Sequence, residues 1–94
     1  MEWRSGWRAE LVYHDQDGNS HKVHGELSEV SKPGGDIQEF RLHADDGSEY
    51  FVDVTKHKTQ AGTWDTTNEV YRILEDEREL IGSASTYRPL GPPK

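Results

Sequence analysis

Residues 10–18 have the sequence ELVYHDQDG, and residues 39–47, EFRLHADDG, repeat its pattern 29 positions later. A glutamate, alternating apolar and polar residues, a histidine and an acidic turn ending in glycine recur in the same places. Alternation with a period of two is typical of a strand that buries one face. A three-residue loop ending in glycine fits a hairpin turn, because glycine readily takes the positive φ required there. The repeat therefore predicts two similar antiparallel hairpins.

The first hairpin has one register that brings its two apolar faces together. Leu11 lies opposite Val23 when residues 16–18 form the loop. The same register places Glu10 opposite His24 on the other face, which is a favourable cross-strand pair. A slip of one residue would turn every side chain to the opposite face of the sheet. We therefore expect this register to be well specified.

The register of the second hairpin follows from the same matching of apolar faces. Matching its apolar faces places Leu42 opposite Tyr50 and Phe40 opposite Val52. Residues 45–47 remain as the loop, again with glycine last. The two hairpins are joined by the segment from Ser31 to Asp36, in which Pro-Gly-Gly predicts a loop.

The third region allows two interpretations. Residues 66–69 have the form of a helix capping box, and a helix over residues 67–81 would follow from it. The competing interpretation is a third hairpin with strands at residues 70–74 and 80–87 and a turn at residues 76–78. We favour the hairpin, because its second strand is rich in Ser, Thr and Gly and is a poor helix former. The polar stretch at residues 59–63 is interpreted as a break before this region.

These patterns predict an all-β fold, a small antiparallel barrel or a two-layer sandwich built from hairpins. The alternative is an α+β fold in which residues 67–81 form a helix packed on a four-stranded antiparallel sheet. We expect one domain at residues 1–88, followed by a flexible, proline-rich tail at residues 89–94. The tail contains a weak Pro-x-x-Pro-x-Lys pattern of the kind that polyproline-binding domains recognise.

The composition predicts a thin core. Leu, Ile, Val and Phe number 17 of 94 residues, a share below the level of about 20% at which a charged chain is suspected of disorder. Tryptophan and tyrosine compensate, since each buries a large area. We expect at least two of Trp3, Trp7 and Trp64 to fill the core, and Trp3 to be the exposed one because its neighbours are polar. All three are candidate partner-binding residues, because aromatic anchors dominate binding surfaces.

The charge and the cysteine count exclude several classes of protein. A formal net charge of −7 makes nucleic acid an unfavourable partner, because phosphates would meet a repulsive field. No apolar run is long enough to span a membrane. The sequence contains no cysteine, so it has no disulfide, thiol nucleophile or cysteine zinc site. We expect a cytoplasmic protein without a secretory signal.

Two metal hypotheses are weak. Asp15 and Asp17 occupy the first and third places of a calcium-loop pattern, but Ser20 stands where that loop requires glycine. The same residues are natural in a hairpin turn, which we favour. His14 and His43 occupy equivalent places near the two turns and could meet if the hairpins pack side by side. We expect neither a metal nor another cofactor.

The residues favour binding over catalysis. The chain has no nucleophile elbow and no phosphate-binding glycine loop, so we assign no catalytic residue and expect no enzyme. A non-catalytic protein-interaction module that uses a sheet edge or an exposed aromatic is the favoured hypothesis. The alternatives are an acidic decoy or inhibitor of a basic partner, and a small enzyme or ligand-binding protein with a His/carboxylate pocket. A homo-oligomer is compatible with all three, because unpaired edges and a thin core favour pairing.

Overall fold

The computed structural model describes residues 3–31, 39–54 and 56–92, which form a closed antiparallel barrel and a small separate sheet. The barrel strands follow the order β1-β2-β3-β4-β7-β8, and β5 pairs only with β6. The strands are β1 Arg8–Asp15, β2 Ser20–Val30, β3 Glu39–Ala44, β4 Glu49–Asp53, β5 Lys56–Lys58, β6 Trp64–Thr66, β7 Glu69–Leu74 and β8 Glu77–Gly91. The predicted small all-β barrel is confirmed. The alternative helix over residues 67–81 is wrong, since this segment contains β7 and part of β8.

Both predicted hairpin registers are confirmed. Leu11 pairs with Val23 in the first hairpin, and Leu42 pairs with Tyr50 in the second. The two turns are alike as well. Gly18 donates its backbone N–H to Asp15 and Gly47 donates to Ala44, each at 3.0 Å. Both glycines have positive φ, 85° and 92°, as the loop pattern requires.

The third hairpin is present, but its turn lies one step earlier than predicted. Leu74 pairs with Glu77, so the turn contains Glu75 and Asp76 rather than residues 76–78. Glu75 takes a φ of 52°, in the left-handed region that non-glycine residues seldom occupy. The position of the turn is consistent with the pairing of Gly82 with Val70, near the end of the hairpin away from the turn. One bulge and four further pairs leave only two residues for the turn.

At two glycines of the barrel, the backbone of a neighbouring strand approaches too closely to leave room for a side chain. A Cβ atom added at Gly82 would lie closer than 3.0 Å to the backbone of His14, and one at Gly25 would meet His43 equally closely. Gly82 pairs with Val70 on β7 and lies beside β1 on its other side. Strands must bend and coil strongly to close a small barrel, and glycine permits that approach.

The last strand continues beyond the domain end predicted at residue 88. β8 runs to Gly91 and pairs with β1, where Pro89 lies opposite Ala9. Pro89 and Gly91 are buried. Since Pro89 belongs to the barrel wall, it is not available as the first proline of a polyproline ligand.

The core consists of the inward-facing residues of the barrel and of Trp3 at one end. Trp3 is only 8% exposed and stacks on Phe40 with ring centroids 5.0 Å apart. Tyr87 packs against both rings at 6.0 Å. The expectation that Trp3 is exposed is therefore wrong, because its indole closes the barrel end despite its polar neighbours in sequence. Of the at least two tryptophans expected to fill the core, Trp3 does so, whereas Trp7 is only partly buried against it.

Two regions bear on the remaining predictions. The loop predicted from Ser31 to Asp36 lies outside the described residues except for Ser31 itself. Within the part of the chain that the structure describes, no helix is long and apolar enough to cross a membrane.

Barrel closure can be tested at Gly82. We expect Gly82→Ala to lower the free energy of unfolding by about 1–3 kcal/mol, because the methyl group would overlap the backbone of His14. Urea denaturation measures the change. Ser83→Ala at the neighbouring exposed position is the control and should stay within roughly 0.5 kcal/mol of the original chain. Equal stability of the two variants would show that the close approach at Gly82 does not limit closure.

Candidate functional site

The connection between β4 and β7 forms a hairpin that stands outside the barrel sheet. We call residues 56–66 the arm; it consists of β5, a turn and β6. Thr59 donates its backbone N–H to Thr63 at 2.8 Å, and Gly62 donates to Thr59 at 3.0 Å. Gly62 has a φ of 85°, so the turn has the same construction as the two barrel turns described above.

Sequence reasoning missed this hairpin and treated residues 59–63 as a polar break. A signal was present, because Gln60-Ala61-Gly62 has glycine in the third place of the loop, as in the other two turns. The flanking strands have only three residues each and show no apolar alternation. Without alternation, the turn pattern alone did not indicate strands.

The arm leaves the barrel at the end opposite its three tight turns, and its base is fixed to the barrel. Val54, which precedes the arm, is buried at 2% exposure. Asn68, which follows it, accepts a hydrogen bond from the backbone N–H of Ala84 on β8 at 2.8 Å. The Asn68 side-chain amide also donates to the Thr66 carbonyl at 3.3 Å. These contacts attach the arm to the barrel while its outer part remains in solvent.

Trp64 is the prominent side chain of the arm. It is 71% exposed, whereas the exposed leucines of the described chain, Leu74, Leu80 and Leu90, range from 41% to 46%. Of the three predicted partner-binding candidates, Trp3 is buried and Trp7 is partly buried, so only Trp64 presents most of its indole to solvent. The structure does not bring the three tryptophans together as one site.

An acidic groove lies at the opposite end of the barrel, between the β3–β4 and β7–β8 turns. Its volume is about 980 Å³. Among the described residues, five carboxylates and one cation, Arg72, line it; the acids are Asp46, Glu49, Glu75, Asp76 and Glu77. The carboxylates of the chain are therefore concentrated in part at one end, which is the arrangement that the acidic-decoy alternative requires.

The histidine candidates do not converge. His14 pairs with Ser20 and His43 pairs with Glu26, and these two partners lie six residues apart on β2. That distance is about 20 Å along a strand. Among the described residues, no three His, Asp or Glu side chains form a group that could hold a metal.

Asp15 and Asp17 lie in the first turn. One carboxylate oxygen of Asp15 accepts backbone N–H bonds from Asp17 and Asn19, both at 2.9 Å. The other oxygen lies 2.7 Å from the His21 ring. The turn interpretation of this acidic stretch is confirmed, since the Asp15 carboxylate closes the turn.

A smaller groove of about 260 Å³ combines His24 with Asp45 and Asp46, the residue types that an enzymatic pocket would need. Arg8 donates two hydrogen bonds to Asp45, at 2.7 and 2.6 Å. These bonds lower the pKa of Asp45, which makes its carboxylate a weaker general base. The His24 ring lies 3.1 Å from Glu10. Asp45 and His24 of this groove are thus engaged with Arg8 and Glu10, which do not line it.

The comparisons with known proteins bring no relative. No protein-family model matches the chain, and no curated protein or solved structure is significantly similar to it. The candidate sites must therefore be ranked by their own geometry.

The environments of the tryptophans predict a fluorescence difference. Removing the exposed indole by Trp64→Phe should shift the emission maximum to shorter wavelength and reduce quenching by acrylamide, because Trp3 and Trp7 remain in less accessible surroundings. Trp7→Phe is the matched control and should leave the long-wavelength emission in place. A spectrum unchanged by Trp64→Phe would contradict the exposed position of this indole.

The surface carboxylates predict how stability depends on pH. Four have pKa values lowered by hydrogen bonds to their ionised form: Glu10, Asp15, Asp45 and Asp46. A lowered folded-state pKa stabilises the fold fully above the unfolded-state value, about 3.9 for aspartate, and the effect is lost as the pH falls through the folded-state value. The urea midpoint should therefore decrease between about pH 5 and pH 2. Asp45→Asn should make this decrease smaller, and an identical pH dependence in the variant would contradict the role of the Arg8 contact.

Proposed function

We propose that the chain is a non-catalytic protein-interaction module whose contact element is the arm, with Trp64 as the anchor. The observation that carries the proposal is the 71% exposure of Trp64 on a hairpin that is fixed at its base and stands apart from the barrel sheet. Tryptophan is enriched among residues that dominate binding energy, because a large rigid ring buries much area at small entropic cost.

The arm also supplies free sheet edges. Within the described residues, β5 and β6 pair only with each other, so each strand has one edge without a neighbouring strand. An extended segment of a partner could add to such an edge through main-chain hydrogen bonds. The barrel is closed, so each of its strands has a neighbouring strand on both sides. Where they are paired in this way, the barrel strands offer no free edge to a partner. The two features expected of an interaction module, a sheet edge and an exposed aromatic, are thus combined in one element.

The two alternatives have weaker support. The acidic groove could attract a basic partner, but the aromatic anchor is at the other end of the barrel. In the smaller groove, the His24 ring and Asp45 already contact charged partners, which leaves little chemistry for an enzyme. The arm is therefore the preferred contact element.

The proposal is tested with the immobilised chain and its Trp64→Ala variant. We expect a partner protein captured by the original chain to be lost or reduced about tenfold or more in the variant, since anchor residues contribute about 2 kcal/mol or more. Capture is quantified by mass spectrometry, and the affinity of the purified partner is then measured by calorimetry.

Leu80→Ala is the matched control, because Leu80 is also a partly exposed apolar residue but lies on β8. It should retain the partner, and thermal unfolding of both variants should match that of the original chain. A partner retained by Trp64→Ala but lost by Glu77→Gln would favour the acidic groove instead. Unfolding of the barrel by Trp64→Ala would show that Trp64 has a structural role.

A further inference from the structure

The arm presents two ammonium groups and an indole on one face. Lys58 pairs with Trp64, and Lys56 pairs with Thr66. Paired residues on adjacent strands share a face of the sheet, as do residues two apart on one strand. Lys56, Lys58, Trp64 and Thr66 therefore form one surface, which we call the arm face. Asp65, the acidic residue of the arm, lies on the opposite face of β6.

The lysines of the arm face are not neutralised by the fold. Both side chains are exposed, and no carboxylate of the described residues forms an ion pair with either. Arginines of the barrel behave differently, since Arg8 is paired with Asp45 and Arg88 with Glu10. The two lysines are thus available for a partner without breaking an existing contact.

The arm face contrasts in charge with the rest of the chain. The arm, residues 56–66, contains two lysines and one aspartate, Asp65, and has a formal net charge of +1. The formal net charge of the chain is −7, so the residues outside the arm carry −8. An anionic partner is attracted at the arm face and repelled along the barrel. This contrast confines such a partner to a short contact at the end of the molecule.

We infer that the arm face binds an extended acidic segment of a protein partner. Carboxylates at alternate positions of that segment would pair with Lys56 and Lys58, which are two residues apart on β5. Alternate residues of an extended chain are about 6.6 Å apart, both in β5 and in the partner segment. The carboxylates of the segment and the two lysines therefore have matching spacing. An apolar side chain of the segment would pack on the Trp64 indole. This inference rests on the proposed function and specifies the chemistry of the partner.

A nucleic acid fits the arm face less well. Duplex DNA carries one negative charge per about 1.7 Å of its axis, and its phosphates continue in both directions. The arm strands have three residues each, about 10 Å in length, and the barrel beyond them is acidic. A short peptide can place its few carboxylates on the arm alone, so the acidic segment is the better match.

The test uses a blocked synthetic peptide, Gly-Glu-Thr-Glu-Thr-Leu-Gly, titrated into the full chain and followed by tryptophan fluorescence and calorimetry. We expect saturable binding that weakens as sodium chloride is raised, because exposed ion pairs are screened by salt. The double variant Lys56→Gln, Lys58→Gln should bind about three- to thirtyfold more weakly, and Trp64→Ala should also lose affinity. Lys22→Gln on the exposed part of β2 is the matched control and should bind like the original chain.

Three results would overturn the inference. The first is equal binding of a peptide in which glutamine replaces both glutamates. The second is tighter binding of a single-stranded oligothymidylate than of the acidic peptide. The third is a salt-sensitive self-association in sedimentation that the lysine double variant abolishes, because the acidic surface would then belong to a second copy of this chain. If Trp64→Ala still loses a captured partner while the acidic peptide does not bind, the inference fails and the proposed function stands.

Discussion

The pairing of β8 with β1 closes the barrel and encloses the core within a single sheet. The chain has only 17 residues of Leu, Ile, Val and Phe, and the single closed sheet of the barrel encloses the core that they form with the aromatic rings. The closing pair requires a close backbone approach at Gly82, and β2 approaches β3 equally closely at Gly25; a side chain at either position would overlap the neighbouring strand. The aromatic cluster of Trp3, Phe40 and Tyr87 then fills one end. A thin core is sufficient because large rings replace the missing aliphatic side chains.

The same closure determines which strands of the described chain have free edges. Where the barrel strands pair on both sides, their main-chain groups are satisfied, while the arm is left as a two-stranded sheet with free edges. The arm also differs from the barrel in charge and in exposed apolar surface, since it has unpaired lysines and the exposed Trp64. The proposed contact element is therefore the segment that the barrel does not use, and the proposed acidic partner follows from the contrast between them.

Most of the barrel could be predicted from local patterns. Leu11 opposite Val23 and Leu42 opposite Tyr50 follow from period-two alternation together with a glycine in each turn. The β7–β8 turn was predicted one step late, because its place is set by the pairing of Gly82 with Val70 rather than by local turn chemistry. The arm was missed because its three-residue strands have no alternation, although Gly62 marks its turn. The candidate site was correspondingly less predictable than the fold.

Sequence patterns alone predict the two hairpin registers and the glycine turns and favour the all-β class, because these depend on residues that are neighbours in the chain or across one turn. Which tryptophan is exposed depends instead on contacts between distant parts of the chain. Trp3 has polar neighbours in sequence but lies on Phe40, and Trp64 lies outside the barrel sheet. Burial depends on what packs against a side chain from distant strands, and β8 in particular reaches β1 across nearly the whole length of the chain. Local polarity carries no information about such contacts.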